Sequence, residues 1–280
     1  MDYRKSPLKW AGSKRTVLPE LLPLFAKHLA ENPDCKFIEP FTGSGVVAMN
    51  VNHDYKIINE INPDLTNFYD CCINNPDELI LETAKLFTKN NCNITSFLRI
   101  RDEFNSCNKT TIYSAALFLY LNKHGFNGLC RYNKKGQFNV PPHSVCKNNG
   151  PVPSVPVDEI KDMHYGLVNS NIYNLNFSLV MKMAVPGDLI YCDPPYFAFE
   201  DNASFTSYTK DGFSLCNQIE LAYEAKRQSE LGVTVIVSNA ATPTCVQLYK
   251  ELGATIKNIE VIRSVGAEVR GTAKEIIAIF

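Results

Sequence analysis

Short apolar runs closed by turn signals alternate with longer helical stretches over much of this chain. Lys36-Phe37-Ile38-Glu39-Pro40 reads as a strand, Phe41 to Gly45 as a glycine turn, and Val46 to Val51 as a helical stretch. Tyr55 to Asn59 is a second strand that ends at Glu60. Asn62-Pro63-Asp64 then opens a helix, with Asn62 as its cap and Pro63 in its first turn. Strand, turn, helix, strand, helix is a βαβ unit and implies a parallel sheet. Ahead of it, Arg15 to Ala30 reads as a helix interrupted by Pro19 and Pro23.

The rhythm then breaks. Pro76 to Lys89, Ile94 to Asn105 and Thr111 to His124 read as successive helices with no strand between them, which predicts an inserted helical domain. Gly125 to Pro156 is rich in Gly, Asn, Lys and Pro and too long for an idle connector. Within it Phe126, between Gly125 and Asn127-Gly128, reads as the exposed tip of a hairpin. Strands resume at Asn169 to Leu175 and Gly187 to Cys192, and the second is stopped by Pro194 and Pro195, which cannot donate to a ladder. Helix Leu215 to Leu231, strand Val233 to Ser238, helix Pro243 to Leu252 and strands Thr255 to Val261 and Glu275 to Phe280 complete the chain, with Gly232 as a helix stop. The pattern predicts an α/β sheet domain from residues 1–74 and 158–280, with residues 75–157 as the insertion.

Composition excludes little by itself. A chain of 280 residues with 45% hydrophobic and 20% charged residues is an ordinary globular protein, large enough to bury a full core. The formal net charge of -1 does not suggest a polyanion, but its distribution does. From Phe104 to Val157 there is no Asp or Glu, while Lys109, Lys123, Arg131, Lys134, Lys135 and Lys147 are present. A solvated basic loop would have the same composition. None of the 10 cysteines is spaced C-x-x-C, and no apolar run or leader suggests a membrane or export, so free thiols in a reduced cytoplasm are expected.

Two sites carry candidate chemistry. At Asp193-Pro194-Pro195-Tyr196 a strand ends in a carboxylate, a rigid turn and an aromatic face, a set that suits a planar ring bearing an exocyclic amine. Asp-Pro alone favours a strand-ending turn with a surface Tyr. At Phe41-Thr42-Gly43-Ser44-Gly45 glycines let a ligand approach the backbone, and Glu60 stands where a carboxylate could accept from two ribose hydroxyls. The third glycine of a dinucleotide fingerprint is missing, and a G-x-G alone also fits a tight turn.

Lys9-Trp10-Ala11-Gly12, Glu39-Pro40-Phe41-Thr42-Gly43-Ser44-Gly45 and Asp193-Pro194-Pro195-Tyr196, in that order, resemble the Dam family of S-adenosylmethionine-dependent DNA adenine-N6 methyltransferases. The block Leu119 to Asn133, with Phe138-Asn139-Val140-Pro141 after it, resembles that family's DNA-reading segment, and the likeness runs from about Pro7 to Phe280. The resemblance implies a seven-stranded, Rossmann-like methyltransferase sheet with an inserted helical and hairpin recognition domain. It implies S-adenosylmethionine packed on Trp10, with its carboxylate met by Lys14. Glu39, Phe41, Gly43, Gly45, Glu60 and Asp193 would line the rest of that pocket, with Asn176 and Phe177 bordering the cofactor's adenine.

For the substrate, the resemblance implies a flipped adenine in GATC, its N6 hydrogens accepted by Asp193 and the Pro194 carbonyl within the Pro194-Pro195 turn, and its ring stacked on Tyr196. Lys9, Asn127, Leu129, Arg131 and Pro141 are the implied readers, with Arg131 suited to a guanine and Leu129 and Pro141 to a thymine methyl. Phe126 suits a wedge between base pairs, Asn133 and Asn139 suit phosphates, and the loop Phe197 to Phe213 suits a lid. Glu60 replaces the family's usual Asp, Phe126 its usual Tyr, and Pro142 to Pro156 departs from the pattern. Duplex DNA is the expected partner, with no metal or membrane and a monomer or weak dimer. A cytosine-N4 methyltransferase, usually with Ser at position 193, and a non-catalytic DNA-binding regulator are the competing readings.

Overall fold

The computed structural model describes residues 3–147, 151–196, 213–265 and 269–280. Strands β1 (Phe37–Glu39), β2 (Lys56–Asn59), β3 (Ser170–Tyr173), β4 (Leu189–Cys192), β5 (Thr234–Ala240), β6 (Thr255–Val265) and β7 (Val269–Ile279) form one sheet in the order β3-β2-β1-β4-β5-β7-β6. The first five are parallel, and β7 runs antiparallel between β5 and β6. The central strands are apolar on both faces because helices cover both. Successive residues of β4 feed opposite layers: Leu189 and Tyr191 enter one apolar cluster, Ile190 and Cys192 the other.

Ten α-helices flank the sheet among the described residues: α1 (Leu18–Glu31), α2 (Pro63–Asn74), α3 (Pro76–Leu86), α4 (Ile94–Ser106), α5 (Ile112–His124), α6 (Ser144–Lys147), α7 (Val157–Leu167), α8 (Phe177–Met181), α9 (Leu215–Glu230) and α10 (Pro243–Glu251). Helices α1, α2 and α7 cover one face, and α8, α9 and α10 the other. The inserted helices α3, α4 and α5 share the first cluster, where Phe68 of α2 packs on Phe118 of α5 with ring centroids 5.9 Å apart. Asn62 caps α2 as expected, accepting from the Asp64 amide at 3.0 Å.

Several expectations change. Val46 to Val51 is no α-helix but contains a 3-10 turn at Ala48–Asn50, because it is wedged under α7. The helix expected from Arg15 splits into a 3-10 turn at Lys14–Val17 and α1, with Pro19 in the first turn of α1 and Pro23 inside it. Phe126 is not a hairpin tip: it opens a 3-10 turn, and the ribbon's own tip is the turn after Asn133, between the paired Tyr132 and Phe138. Helix α7, whose acidic start and apolar Ile160, Met163 and Leu167 are a helical signature, was absent from the expected pattern. Arg263-Ser264 and Gly271-Thr272 belong to the paired strands β6 and β7. The expected lid lies outside the described residues except at Phe213.

Close packing of α7 on the glycine-turn segment depends on Gly166. A Cβ there would lie 2.6 Å from the Met49 carbonyl oxygen and 2.7 Å from Met49 Cβ. Gly166→Ala should therefore cost about 1–3 kcal/mol in urea unfolding. A neutral result would show that α7 can shift freely at this crossing.

Candidate active site

In a parallel sheet all the carboxyl ends lie along one edge, so distant residues meet there. The chain winds from β1 through β2 to β3 in one direction and from β4 to β5 in the other, which puts the topological switch point between β1 and β4. Glu39 ends β1, Glu60 follows β2, and Asp193 follows β4. Three carboxylates read from separate stretches of sequence thus lie along one edge of the sheet.

The glycine turn is held by side chains on both sides. Thr42 donates to the Glu39 carbonyl at 3.1 Å and accepts from the Asn59 amide at 3.1 Å, and Asn59 donates to the carbonyls of Pro40 and Leu175. Tyr69 donates its hydroxyl to the Gly43 carbonyl. Gly43 and Gly45 have φ of 52° and 75°, and a Cβ on Gly43 would lie 3.1 Å from Trp10 Nε1. Trp10 therefore packs on this turn.

Glu60 accepts the Gly43 amide on one oxygen at 3.2 Å and the Asn62 amide on the other at 3.0 Å. Burial raises its pKa to about 7 despite those two donors. Glu39 is 1% exposed and accepts from the Ala48 amide at 3.1 Å; burial, then the nearby Asp193 charge, pushes it well above the usual carboxylate range. Its place is thus beneath the turn. Asn176 caps α8 through the Ser178 amide, and Phe177 stacks on Phe41 with centroids 5.1 Å apart, with Phe213 against both rings.

Lys14 is 5% exposed, and its ammonium lies 2.8 Å from Asp193 and 4.7 Å above the Tyr196 ring. The resemblance placed it on a cofactor carboxylate; in the structure it pairs with the Asp193 carboxylate. The Pro194-Pro195 turn has no amide donors at either proline, so its orientation rests on acceptors and side chains. Gln218 of α9 donates to the Pro195 carbonyl at 2.8 Å and accepts from Asn239 of β5 at 3.0 Å. Tyr196 donates its hydroxyl to Glu275 of β7 at 2.8 Å. Gln218, Asn239 and Glu275 are all buried. Sequence reading missed all three, although polar residues inside apolar strand and helix patterns were the available signal.

The expected DNA readers gather around the carboxyl end of α5. Phe126 is 46% exposed and its amide donates to the Pro141 carbonyl, and Lys9 packs on Gly128. Asn127, Arg131 and Pro141 are exposed, and Leu129 is half-buried. Arg131 is oriented by Asn139, whose side-chain oxygen accepts from Nε at 2.8 Å and whose carbonyl accepts from the guanidinium at 3.2 Å. Asn133 accepts from the amides of Lys135 and Gln137. These two asparagines, expected on phosphates, also make hydrogen bonds within the ribbon itself. Tyr132 ties that ribbon to α2, donating to Asp64 at 2.7 Å.

The strand order is that of a seven-stranded, mixed α/β sheet, and the class of protein built on it follows from the relatives of the chain. A family model described as D12 class N6 adenine-specific DNA methyltransferase matches residues 10–265. The DNA adenine methylase of Vibrio cholerae serotype O1 is 35% identical over 283 residues, covering 100% of this chain and 97% of that protein. The Retron Ec67 DNA adenine methylase of Escherichia coli is 36% identical, covering 97% and 90%. The DNA adenine methylase of Serratia marcescens is 34% identical, covering 100% of both chains. The chain belongs to the D12 class of N6 adenine-specific DNA methyltransferases and is an adenine-specific DNA methyltransferase. Among the described residues no group of His, Cys, Asp and Glu could hold a metal ion, and no helix is long and apolar enough to cross a membrane.

The support beneath the proline turn can be tested separately from the turn. Gln218→Leu keeps the volume and removes the donor, and should lower turnover by about 10–100-fold through misplacement of the turn, with DNA affinity changed by less than about 3-fold. An unchanged rate in the folded variant would show that the turn holds itself.

Proposed function

We propose that this chain transfers a methyl group from S-adenosylmethionine to N6 of an adenine flipped out of duplex DNA within GATC. The observation that carries the reading is the run from Lys9 to Lys14. It touches the reading edge through Lys9, the glycine turn through Trp10 and the catalytic turn through Lys14. One short segment so joins the three parts that the reaction needs.

The residues present fit the cofactor. Gly43 lacks a Cβ beside Trp10, Glu60 keeps a free lone pair on each oxygen beyond the amides it accepts, and Phe41 and Phe177 offer aromatic faces. When bound, S-adenosylmethionine would supply an electrophilic methyl on a sulfonium, a leaving group that needs no proton. Adenine N6 is a poor nucleophile because its lone pair is delocalised into the ring. Asp193 and the Pro194 carbonyl accept hydrogen bonds from its two N–H groups, favour a pyramidal nitrogen and direct the lone pair outward. Once methylated, the cationic nitrogen sheds one proton to water. Alignment and fixed charge then carry most of the acceleration.

A base inside a duplex cannot reach this crevice, so it must leave the stack. Tyr196 receives its face, and Phe126 fills the gap left behind. Support for GATC comes from the matched reader positions Lys9, Asn127, Leu129, Arg131 and Pro141 gathered at one edge.

Methylation-sensitive sequencing of DNA from cells expressing the chain should find N6-methyladenine in GATC. Asp193→Ala should abolish it, with turnover down at least about 10²–10³-fold. Methyl at other sequences, or turnover retained without Asp193, would overturn the reading.

The carboxylate of Glu60 must be ionised to accept from two ribose hydroxyls, and its pKa is raised to about 7. Below that pH the protonated form dominates and an acceptor is lost. Affinity for S-adenosylmethionine by calorimetry should therefore rise between pH 6 and 8 by up to about tenfold per unit below the pKa and then level off. Glu60→Gln should flatten the profile; a profile unchanged by that substitution would remove Glu60 from the cofactor site.

A further inference from the structure

Helix α5 is apolar almost all round, yet Asn122, 2% exposed, stands in its last turn. A buried amide is costly unless its donors and acceptor are matched, and here they are matched across a long sequence separation. The side-chain oxygen accepts from the Lys9 amide at 2.8 Å. The side-chain nitrogen donates to the Lys9 carbonyl at 2.8 Å and to the Gly128 carbonyl at 3.1 Å. Asn122 thus grips Lys9 by both of its backbone groups, as a neighbouring strand would, and holds the next turn of chain with its remaining hydrogen.

The two segments so joined are in direct contact. Gly128 has a φ of +64°, and a Cβ built on it would lie 2.2 Å from Lys9 Cβ, so no side chain can separate them. Immediately before Gly128 come Phe126 and Asn127, and after it Leu129 and Arg131. The Lys9 ammonium also donates to the Lys123 carbonyl at 3.1 Å, beside Asn122 on α5. The relative placement of Lys9 and residues 126–131 is therefore set at one buried amide.

We propose that Asn122 is a specificity-determining positioning residue, which touches no base but holds the Lys9 reader and the Phe126–Arg131 readers in one register so that both address the same site. The inference rests on the function proposed above. It goes beyond it by assigning selectivity to a residue buried behind the reading edge. Hydrogen-bonding readers discriminate steeply because a misplaced donor leaves a base edge unpaired, and a shift between two reading segments misplaces one of them for every sequence. Loss of Asn122 therefore weakens discrimination more than it weakens cofactor binding.

The test uses the full chain, wild type and the variants Asn122→Asp and Asn122→Ser. Rates of methyl transfer are compared on the preferred duplex and on duplexes with one base pair of the site changed. Asn122→Asp keeps an acceptor for the Lys9 amide and loses the two donated bonds; both variants should lose about tenfold or more of discrimination, with S-adenosylmethionine affinity changed less than about twofold. Lys9→Ala should lose discrimination too, and combining it with Asn122→Ser should cost less than the sum of the two, because both disturb one register. Discrimination equal to wild type in a folded variant would overturn the proposal and leave Asn122 a packing residue. If neither variant folds, hydrogen exchange of the wild-type Lys9 amide decides: protection comparable to α5 supports the clamp, and exchange at the rate of an open loop overturns it. A wild-type chain that methylates adenine without sequence preference would sink the reader assignment as a whole, whereas a selective wild type with equally selective variants sinks only the role of Asn122.

Discussion

The ion pair between Lys14 and Asp193 is the contact on which the active crevice depends. At 2.8 Å, with both side chains largely removed from water, it joins the amino-terminal segment to the end of β4. Removing either partner of such a pair leaves a charge without its counterion, typically at a cost of about 3–5 kcal/mol. The pairing has a geometric effect as well. With Lys14 held at Asp193 and above Tyr196, Trp10 is drawn against Gly43, and the segment before it reaches α5. A stretch with little regular structure of its own is ordered by its three points of attachment.

A turn with two prolines is stiff in φ but poor in donors, so its direction is decided from outside. Gln218 and Asn239 brace the Pro195 carbonyl from α9 and β5, and Glu275 braces the Tyr196 hydroxyl from β7. Burial, then the charges of Asp193 and Glu275, pushes the Tyr196 pKa well up, which keeps its hydroxyl a donor to Glu275. The antiparallel β7 thereby serves the site directly, because its register puts Glu275 opposite Ala240 at the end of β5.

The glycine turn and the ribbon from Leu129 to Pro141 are joined by a second polar chain. Gly43 and Asn62 donate their amides to Glu60, and the Asn62 side chain donates to Cys130 and Tyr132 at 3.4 Å. Arg131 lies between those two residues in sequence. The cap of α2 therefore does two things: it starts the helix, and it anchors the ribbon that carries Arg131. This explains physically why the insertion shares its core with the sheet's own helices and does not hang from them.

The sequence by itself determined the strands, most helices and the identity of the chemical motifs, because these follow from local pattern. Alternation between polar and apolar runs, the prolines after Asp193 and the glycines after Phe41 act over a few residues and are visible without a fold. Local pattern failed where packing overrode propensity, as in the 3-10 turn at Ala48–Asn50 pressed by Gly166, and where φ values beyond the reach of periodicity shaped the turn at Asn127-Gly128. Tertiary structure alone decided which polar residues support the site. Asn122, Gln218, Asn239 and Glu275 look like scattered polar interruptions in sequence, since hydrogen bonds across 113, 23, 21 and 79 positions have no local signature. Only folding, which must match every buried polar group with a partner, shows what each of them holds.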